Sequence, residues 1–273
     1  MPLATIQDLT GPDAFELIEK AKLLSSEYDA YLDDFVEETP HERLPGIHAS
    51  EISTCHRRAV YTMLDTKKVD ESDRKFWTLI LEIGKAIHEL HQNHFHRMAR
   101  ELKTFQFEAE APIGQQPLAK KWGIHSSCDG IFTFSEKDPN TWNRKVSLRV
   151  GLEIKSISPS GFERLREPKP EHIEQAHVYM ACLNLPMMWM LYHNKGNHNL
   201  TPSTPPWLIK FNPKLWAKLE ARFQGWVDLI KAKELPEQRP GIHCGFCPYK
   251  WTCNPPDRGA SQAFKRHKLR RSK

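Results

Sequence analysis

GIHSSCDGIFTFSEKDPNTWNRKVSLRVGLEIK, residues 123–155, decides how this chain folds. Apolar and β-branched residues run through 124–134 and again through 146–157, with the turn formers Lys137, Asp138, Pro139 and Asn140 between them. The stretch therefore reads as two adjacent strands of a hairpin. Side chains alternate between the faces of a strand, which puts Glu153 and Lys155 on one face and Ile154 on the other. Asp129, early in the first strand, can lie beside them. Two carboxylates and a lysine converging at strand ends suit a hard divalent cation and the water it activates, because Mg²⁺ takes oxygen ligands and keeps several waters. A bare E-x-K triplet is also what the solvated face of an antiparallel strand looks like. The flanking segments distinguish the two.

A chain of 273 residues with 39% hydrophobic and 27% charged residues has room for one large α/β domain or two small ones, in the soluble globular range. No apolar run is long enough to span a membrane, and the opening residues MPLATIQDLTGPDAFE lack the core of a signal peptide, so the chain reads as cytoplasmic. Of its 39 Lys and Arg, six fall in the last ten residues, FKRHKLRRSK, which contain no acid. Set against 34 acidic residues, the body of the chain is close to neutral and the net charge of +5 belongs to the tail. Six cysteines without a secretion signal argue for ligands or core residues and against a disulfide scaffold.

Residues 13–36 carry Leu17, Ala21, Leu24, Tyr28, Tyr31 and Phe35 at spacings of four and three, the pattern of a packing helix. In HASEISTCHRRAVYTML, Ser50 or Ser53 can cap a short helix whose first turn includes Cys55. A long helix is predicted over 73–103, with Phe76, Ile80, Ile83, Ile87, Leu90, His94 and Met98 as its core stripe. Within it Gly84 stands one turn before His88, an arrangement that lets another backbone come close and leaves the imidazole room to reach a ligand. The neighbouring His91, His94 and His96 show that a histidine here is not distinctive by itself. A strand at 105–113, carrying Glu108 and Glu110, leads into the hairpin. Beyond the hairpin, Gln175 and Tyr179 share one face of a helix over 171–184 and can hydrogen-bond a phosphate. Two more strands, 187–193 and 207–211, and a closing helix, 213–233, complete the pattern.

Near the C-terminus, PGIHCGFCPYKWTCNPP gives Cys244-x2-Cys247-x5-Cys253. So short a loop, rich in glycine and proline, buries little apolar surface, and a metal centre chelated by thiolates would hold it. The fourth ligand comes from Cys55, Cys128, Cys182 or His243. Cys55 fits best, at a helix start beside Arg57 and Arg58, whose charge offsets a thiolate. Cys128 and Cys182 read as core. Four cysteines accommodate either zinc or a 4Fe-4S cluster.

Gly84-x3-His88, Asp129-Gly130, Glu153-Ile154-Lys155 and Gln175-x3-Tyr179, in this order and framed by one upstream and three C-terminal cysteines, resemble the RecB-like branch of the PD-(D/E)xK nuclease superfamily. The set is most similar to the iron-sulfur exonucleases of CRISPR systems and phages and covers residues 50–253, with Cys128 standing where the motif often has proline. The resemblance implies an α/β fold, a central mixed sheet flanked by helices like a restriction-endonuclease core, with a C-terminal iron-sulfur segment. It divides the chain into an N-terminal helical extension (1–45), a nuclease domain (46–256) and a basic tail (257–273). It further implies that His88, Asp129, Glu153 and the Ile154 carbonyl bind one or two Mg²⁺ or Mn²⁺, that Lys155 orients and helps deprotonate the attacking water, and that Gln175 and Tyr179 position the scissile strand. Cys55, Cys244, Cys247 and Cys253 would then hold a 4Fe-4S cluster, with zinc as the alternative. The implied activity is exonucleolytic DNA hydrolysis in recombination, replication or repair. Arg57 and Arg58, with Lys265, Arg266, Arg270 and Arg271 of the tail, are the expected DNA contacts. Two other classes fit the same residues: a zinc-stabilised DNA-binding protein, and a subunit that cuts only with a replication, recombination or spacer-acquisition partner.

Overall fold

Six strands hydrogen-bond into one mixed sheet: β1 (Gln106–Pro112), β2 (Ser127–Lys137), β3 (Lys145–Ile157), β4 (Met187–Asn194), β5 (Leu200–Thr201) and β6 (Trp207–Lys210). The helices around it are α1 (His56–Met63), α2 (Arg74–Leu102), α3 (Pro117–Trp122), α4 (Pro159–Glu163), α5 (Pro170–Leu183), α6 (Pro213–Ala232) and α7 (Lys250–Cys253). The computed structural model describes residues 46–53, 55–68, 74–137, 145–201, 207–241, 244–245 and 247–253. The expected helix over 13–36, the hairpin turn beyond Lys137, His243 and the basic tail lie outside the described residues.

The strand order is β1-β2-β3-β4, with β5 and β6 each pairing β4. Only β3 and β4 run parallel. A parallel pair requires a crossover, which α4 and α5 supply. Local chemistry sets the helix limits. Proline occupies the opening turn of α3, α4, α5 and α6, where a missing N–H costs nothing. Asn212 caps α6 by accepting the N–H groups of Lys214 and Leu215 at 2.9 and 3.3 Å. Left-handed residues Gly123, Asn184 and Lys233 end α3, α5 and α6.

Alternation along β4 sorts the core. Met188, Met190 and Tyr192 join Ala176 and Met180 of α5 and Leu219, Phe223 and Trp226 of α6, whereas Leu191 joins Phe95, Phe132, Val150, Leu152 and Ile154. Glu153 pairs with Met190 in the parallel register, so it lies on the face covered by α5, and Ile154 is buried on the other.

The chain divides into two compact units, 1–43 with 72–82 and 44–71 with 83–273. Of the first, the described part is the opening of α2. The second contains the sheet, the other helices and both sites below. Among the described residues no helix is long and apolar enough to cross a membrane.

Three local expectations are corrected. On α2, Ile83, Leu90 and Met98 are exposed while His91, Gln92 and Phe95 are buried. The helix turns a mainly polar face inward because that face covers a polar site, so hydrophobic periodicity selects the wrong stripe. No serine caps α1: Cys55 is itself the N-cap, with no side-chain cap bond, and Ser53 instead donates to Glu174 Oε2 at 2.7 Å. Gly84 does not mark a close backbone approach, since a Cβ there would meet only Ser156 Oγ at 3.9 Å.

Candidate active site

The β2–β3 ladder ends at the pair Gly130–Leu152. One step further Asp129 stands beside Glu153, and its Oδ2 accepts the Ile154 backbone N–H at 2.6 Å in place of a strand partner. Gly130 makes this possible: any Cβ would lie 2.5 Å from the Phe107 ring that covers it from β1.

Glu153 is 2% exposed. Its Oε1 accepts from Lys155 Nζ at 2.6 Å and from Gln175 Nε2 at 2.8 Å, and Lys155 Nζ also donates to Gln175 Oε1 at 2.8 Å. Tyr179 extends the chain, its hydroxyl accepting from Gln175 Nε2 at 3.1 Å and lying 2.9 Å from Ser126 Oγ. Glu153 Oε2 is buried with no hydrogen-bond partner. Burial, reinforced by the Asp129 charge and opposed by Lys155, pushes the Glu153 carboxyl up to about 7. Gln175 and Tyr179 are themselves 5% and 2% exposed, so in this arrangement they hold Glu153 and Lys155 in place.

From α2, His88 Nδ1 lies 3.2 Å from Asp129 Oδ1. Burial alone would lower the His88 pKa, but the hydrogen bond and charge of Asp129, with the charge of Glu153, leave it raised. Ligand atoms of His88, Asp129 and Glu110 all fall within 4.8 Å of one another. Gln92, one turn beyond His88, donates through Nε2 to Glu110 Oε1 at 2.7 Å and to the Asp129 carbonyl at 2.9 Å. Neither Glu110 nor Gln92 has a role in the reading from sequence. The i to i+4 spacing from His88 was a usable signal for Gln92, whereas Glu110 acquires meaning only through the β1–β2 register. His172 is another addition: its Nδ1 lies 2.7 Å from the buried Tyr192 hydroxyl, and burial followed by Lys155 and Lys169 depresses its pKa to about 3.

These donors are hard oxygens and one imidazole, and the orphaned Glu153 oxygen is a buried acceptor lacking a donor, so the residues fit a hard divalent cation. A cation held by His88 and Glu153 would require both to be deprotonated, and both hold their protons to higher pH than usual. Mn²⁺ affinity is therefore expected to rise with pH from about 6 through about 7, where Glu153 loses its proton. Calorimetric titrations in buffers of different ionisation enthalpy measure the released protons. An affinity independent of pH across this range would contradict the assignment.

A second site lies at the N-terminus of α1. Cys55, Cys244, Cys247 and Cys253 line one cavity of about 270 Å³ together with Arg57, Arg58, Arg239 and Lys250. Arg57 donates to the Pro236 carbonyl at 3.2 Å and Arg58 to Glu51 Oε1 at 3.2 Å. Burial raises the pKa of Cys247 and Cys253, while Arg58 and Arg57 respectively act against it. The Gly241 N–H donates to Cys244 Sγ at 3.4 Å. The segment also has a small apolar anchor the sequence did not reveal: Tyr249 packs on Tyr61 with ring centroids 5.4 Å apart and lies 3.2 Å from the Thr62 hydroxyl. Cys128 and Cys182 are buried elsewhere in the core, as expected. Among the described residues, His88, Glu110 and Asp129 form the one group of three whose ligand atoms meet within 4.8 Å, so no three cysteine sulfurs are that close.

No protein-family model matches the chain, and no curated protein sequence does. Similar solved structures include SSO0001, with a TM-score of 0.49 at 15% identity over 85% of this chain and 97% of that one. The alkaline exonuclease LHK-Exo from Laribacter hongkongensis aligns with a TM-score of 0.45 at 15% identity, over 70% of this chain and 90% of its own. The same exonuclease in complex with dAMP gives a TM-score of 0.43 at 16% identity, over the same shares of the two chains.

Proposed function

We propose that this chain is a metal-dependent deoxyribonuclease of the RecB-like PD-(D/E)xK type, hydrolysing phosphodiester bonds exonucleolytically on single strands or duplex ends. The observation that carries the reading is the buried Glu153, bridged to Lys155 by Gln175 and set beside Asp129 with one oxygen unpartnered. Most buried polar atoms are hydrogen-bonded, and a bound ion is one explanation for an oxygen that is not. His88, Asp129, Glu153 and the Ile154 carbonyl would hold Mg²⁺ or Mn²⁺. Bound there, the cation supplies Lewis-acid stabilisation of the phosphate and a water of lowered pKa. Lys155, fixed by Glu153 and Gln175, orients the attacking water for in-line displacement. Gln175 and Tyr179 keep that lysine and carboxylate at one separation, a positional constraint of the kind that makes such attack efficient.

At the second site, Cys55, Cys244, Cys247 and Cys253 are assigned to one 4Fe-4S cluster. Zinc is the alternative for the same four thiolates. Arg57, Arg58, Arg239 and Lys250 offset their negative charge.

DNA is the proposed substrate, and Lys265, Arg266, Arg270 and Arg271 are assigned to its phosphates. Each neutralised phosphate releases counterions, so deleting 264–273 is expected to weaken binding mainly at low salt. The salt dependence should flatten by roughly 0.7 to 0.9 for each phosphate that the tail had neutralised. An unchanged salt slope would make the tail a solubility element or a contact for an acidic protein surface. A cleavage assay combined with metal analysis tests the whole reading. Binding without cleavage, with zinc at the cysteines, would replace it by a zinc-stabilised DNA-binding protein. Activity that depends on an added replication, recombination or spacer-acquisition protein would make the chain a subunit of a larger machine.

A further inference from the structure

Tyr192 stands beside Lys155 in the parallel β3–β4 register, and on β4 it belongs with Met188 and Met190 to the face that α5 covers. α5 meets that face with His172, Gln175 and Tyr179, three and four residues apart on one side of the helix. Gln175 accepts from the Lys155 ammonium at 2.8 Å. One turn earlier His172 meets the Tyr192 hydroxyl, with its Nδ1 2.7 Å away and the two ring centroids 5.5 Å apart. Lys155 and His172 are therefore fixed by the same helix against the same pair of strands. The buried Tyr192 hydroxyl has two partners among the described residues. It accepts the Lys169 backbone N–H at 3.0 Å, and burial pushes its own pKa up to about 12, so it keeps a proton that His172 Nδ1 is placed to accept.

We infer that His172 is a substrate-contacting residue: a neutral imidazole held in its Nε2–H tautomer, which donates a hydrogen bond to a phosphate oxygen of the DNA strand at Lys155. The inference rests on the metal-nuclease reading and adds a donor that the reading does not use. An acceptor Nδ1 leaves the proton of a neutral ring on Nε2. That nitrogen makes no hydrogen bond among the described residues and is not shut off from solvent, so a partly buried ring presents a free N–H outward. The ring also stays uncharged. Burial, followed by the charges of Lys155 and Lys169, depresses its pKa to about 3, and a proton on Nδ1 would leave the Tyr192 hydroxyl proton without an acceptor. The action of the Lys155 charge on His172 places both in one electrostatic neighbourhood, where phosphate oxygens are the acceptors that the substrate brings. Such a group offers direction without charge. The Lys155 ammonium is a point charge with rotatable donors, whereas an N–H on a ring tied at its other nitrogen has one direction, which suits it to set the path of the strand beside the lysine.

Two readouts on the full-length protein test this. Heteronuclear NMR of protein labelled at its histidine nitrogens, from about pH 6 to 8, reads the tautomer, with the His172 signals identified by their loss in His172→Gln. A protonated Nε2 beside an unprotonated Nδ1 is expected, and a protonated Nδ1, in the other tautomer or in the imidazolium, overturns the inference. Cleavage of end-labelled single-stranded DNA with Mn²⁺ reads the contact. His172→Phe, which keeps a ring and has no donor, is expected to lose about 10- to 100-fold in kcat/KM, the size of a hydrogen bond to a charged acceptor. Its Mn²⁺ affinity and its salt dependence should not change, since a neutral donor releases no counterion. His172→Gln, whose amide can accept from Tyr192 and still donate, should recover most of the loss. Full kcat/KM in His172→Phe, equal losses in the two variants, or a loss that follows weakened Mn²⁺ binding overturns the inference. A wild type that cuts no DNA would sink the metal-nuclease reading instead. The role of His172 is then decided by the affinity of the metal-free protein for the same DNA, which His172→Phe must lower and His172→Gln restore.

Discussion

The Glu153→Gln variant is expected to lose DNA cleavage by about 10³-fold or more while its metal-free fold stays intact. Removing a single group that stabilises transition-state charge costs about 10² to 10³ in rate, and Glu153 is assigned both to bind the cation and to fix Lys155. The amide preserves the side-chain volume and can still accept from Lys155 and Gln175, which donate to Oε1 at 2.6 and 2.8 Å. It also removes a buried carboxylate whose pKa has been pushed up to about 7, largely by burial. Without metal the variant should therefore melt near the wild-type temperature, since losing a buried carboxylate charge is offset by leaving Lys155 without its ionic partner. Asp129→Asn and Lys155→Ala should be similarly inactive. Near wild-type cleavage by the Glu153 variant would remove the hairpin as the active site.

Replacing Cys247 by alanine is expected to have the next largest effect, on stability and colour. If the cavity at α1 holds a 4Fe-4S cluster, the anaerobically prepared wild type is brown and the variant colourless. The apparent Tm should fall by on the order of 10 °C, since binding energy at such a site is also folding energy and each kcal/mol of destabilisation lowers Tm by a few degrees in a chain of this size. The loss should be confined to the segment that carries the cysteines and to α1. Tyr249 against Tyr61 gives that segment an apolar anchor of its own, which meets the sheet core through Leu235. A colourless wild type made without oxygen, with one zinc per chain, would defeat the iron assignment.

The sheet was legible because its signals are local. A hairpin announces itself by β-branched runs flanking turn formers, and the alternation that separates Glu153 from Ile154 follows from strand geometry alone. α5 and α6 were legible for a similar reason, through Pro170 and Pro213 at their starts and apolar stripes facing the sheet. The buried face of α2 was not. Periodicity finds the stripe richest in Ile, Leu and Met, but this helix covers a polar site and buries His91 and Gln92 with Phe95. Glu110 was missed because its place depends on how β1 pairs with β2, a register no single strand encodes. Gln175 and Tyr179 were identified by spacing, yet that they are buried against Glu153 and Lys155 is a tertiary fact. The cysteines could be grouped from their own spacing only for Cys244, Cys247 and Cys253. Cys55 joins them in one cavity across nearly two hundred residues of chain.

The central claim is metal-dependent DNA cleavage at the Glu153 site, and the most direct measurement is an incubation of anaerobically purified full-length protein with end-labelled single- and double-stranded DNA, with and without Mn²⁺. The account predicts progressive loss of label from the DNA end with Mn²⁺, none without it, and none with Glu153→Gln. DNA that stays intact under Mn²⁺ saturation, or cleavage that persists at full rate in the Glu153 variant, would contradict it.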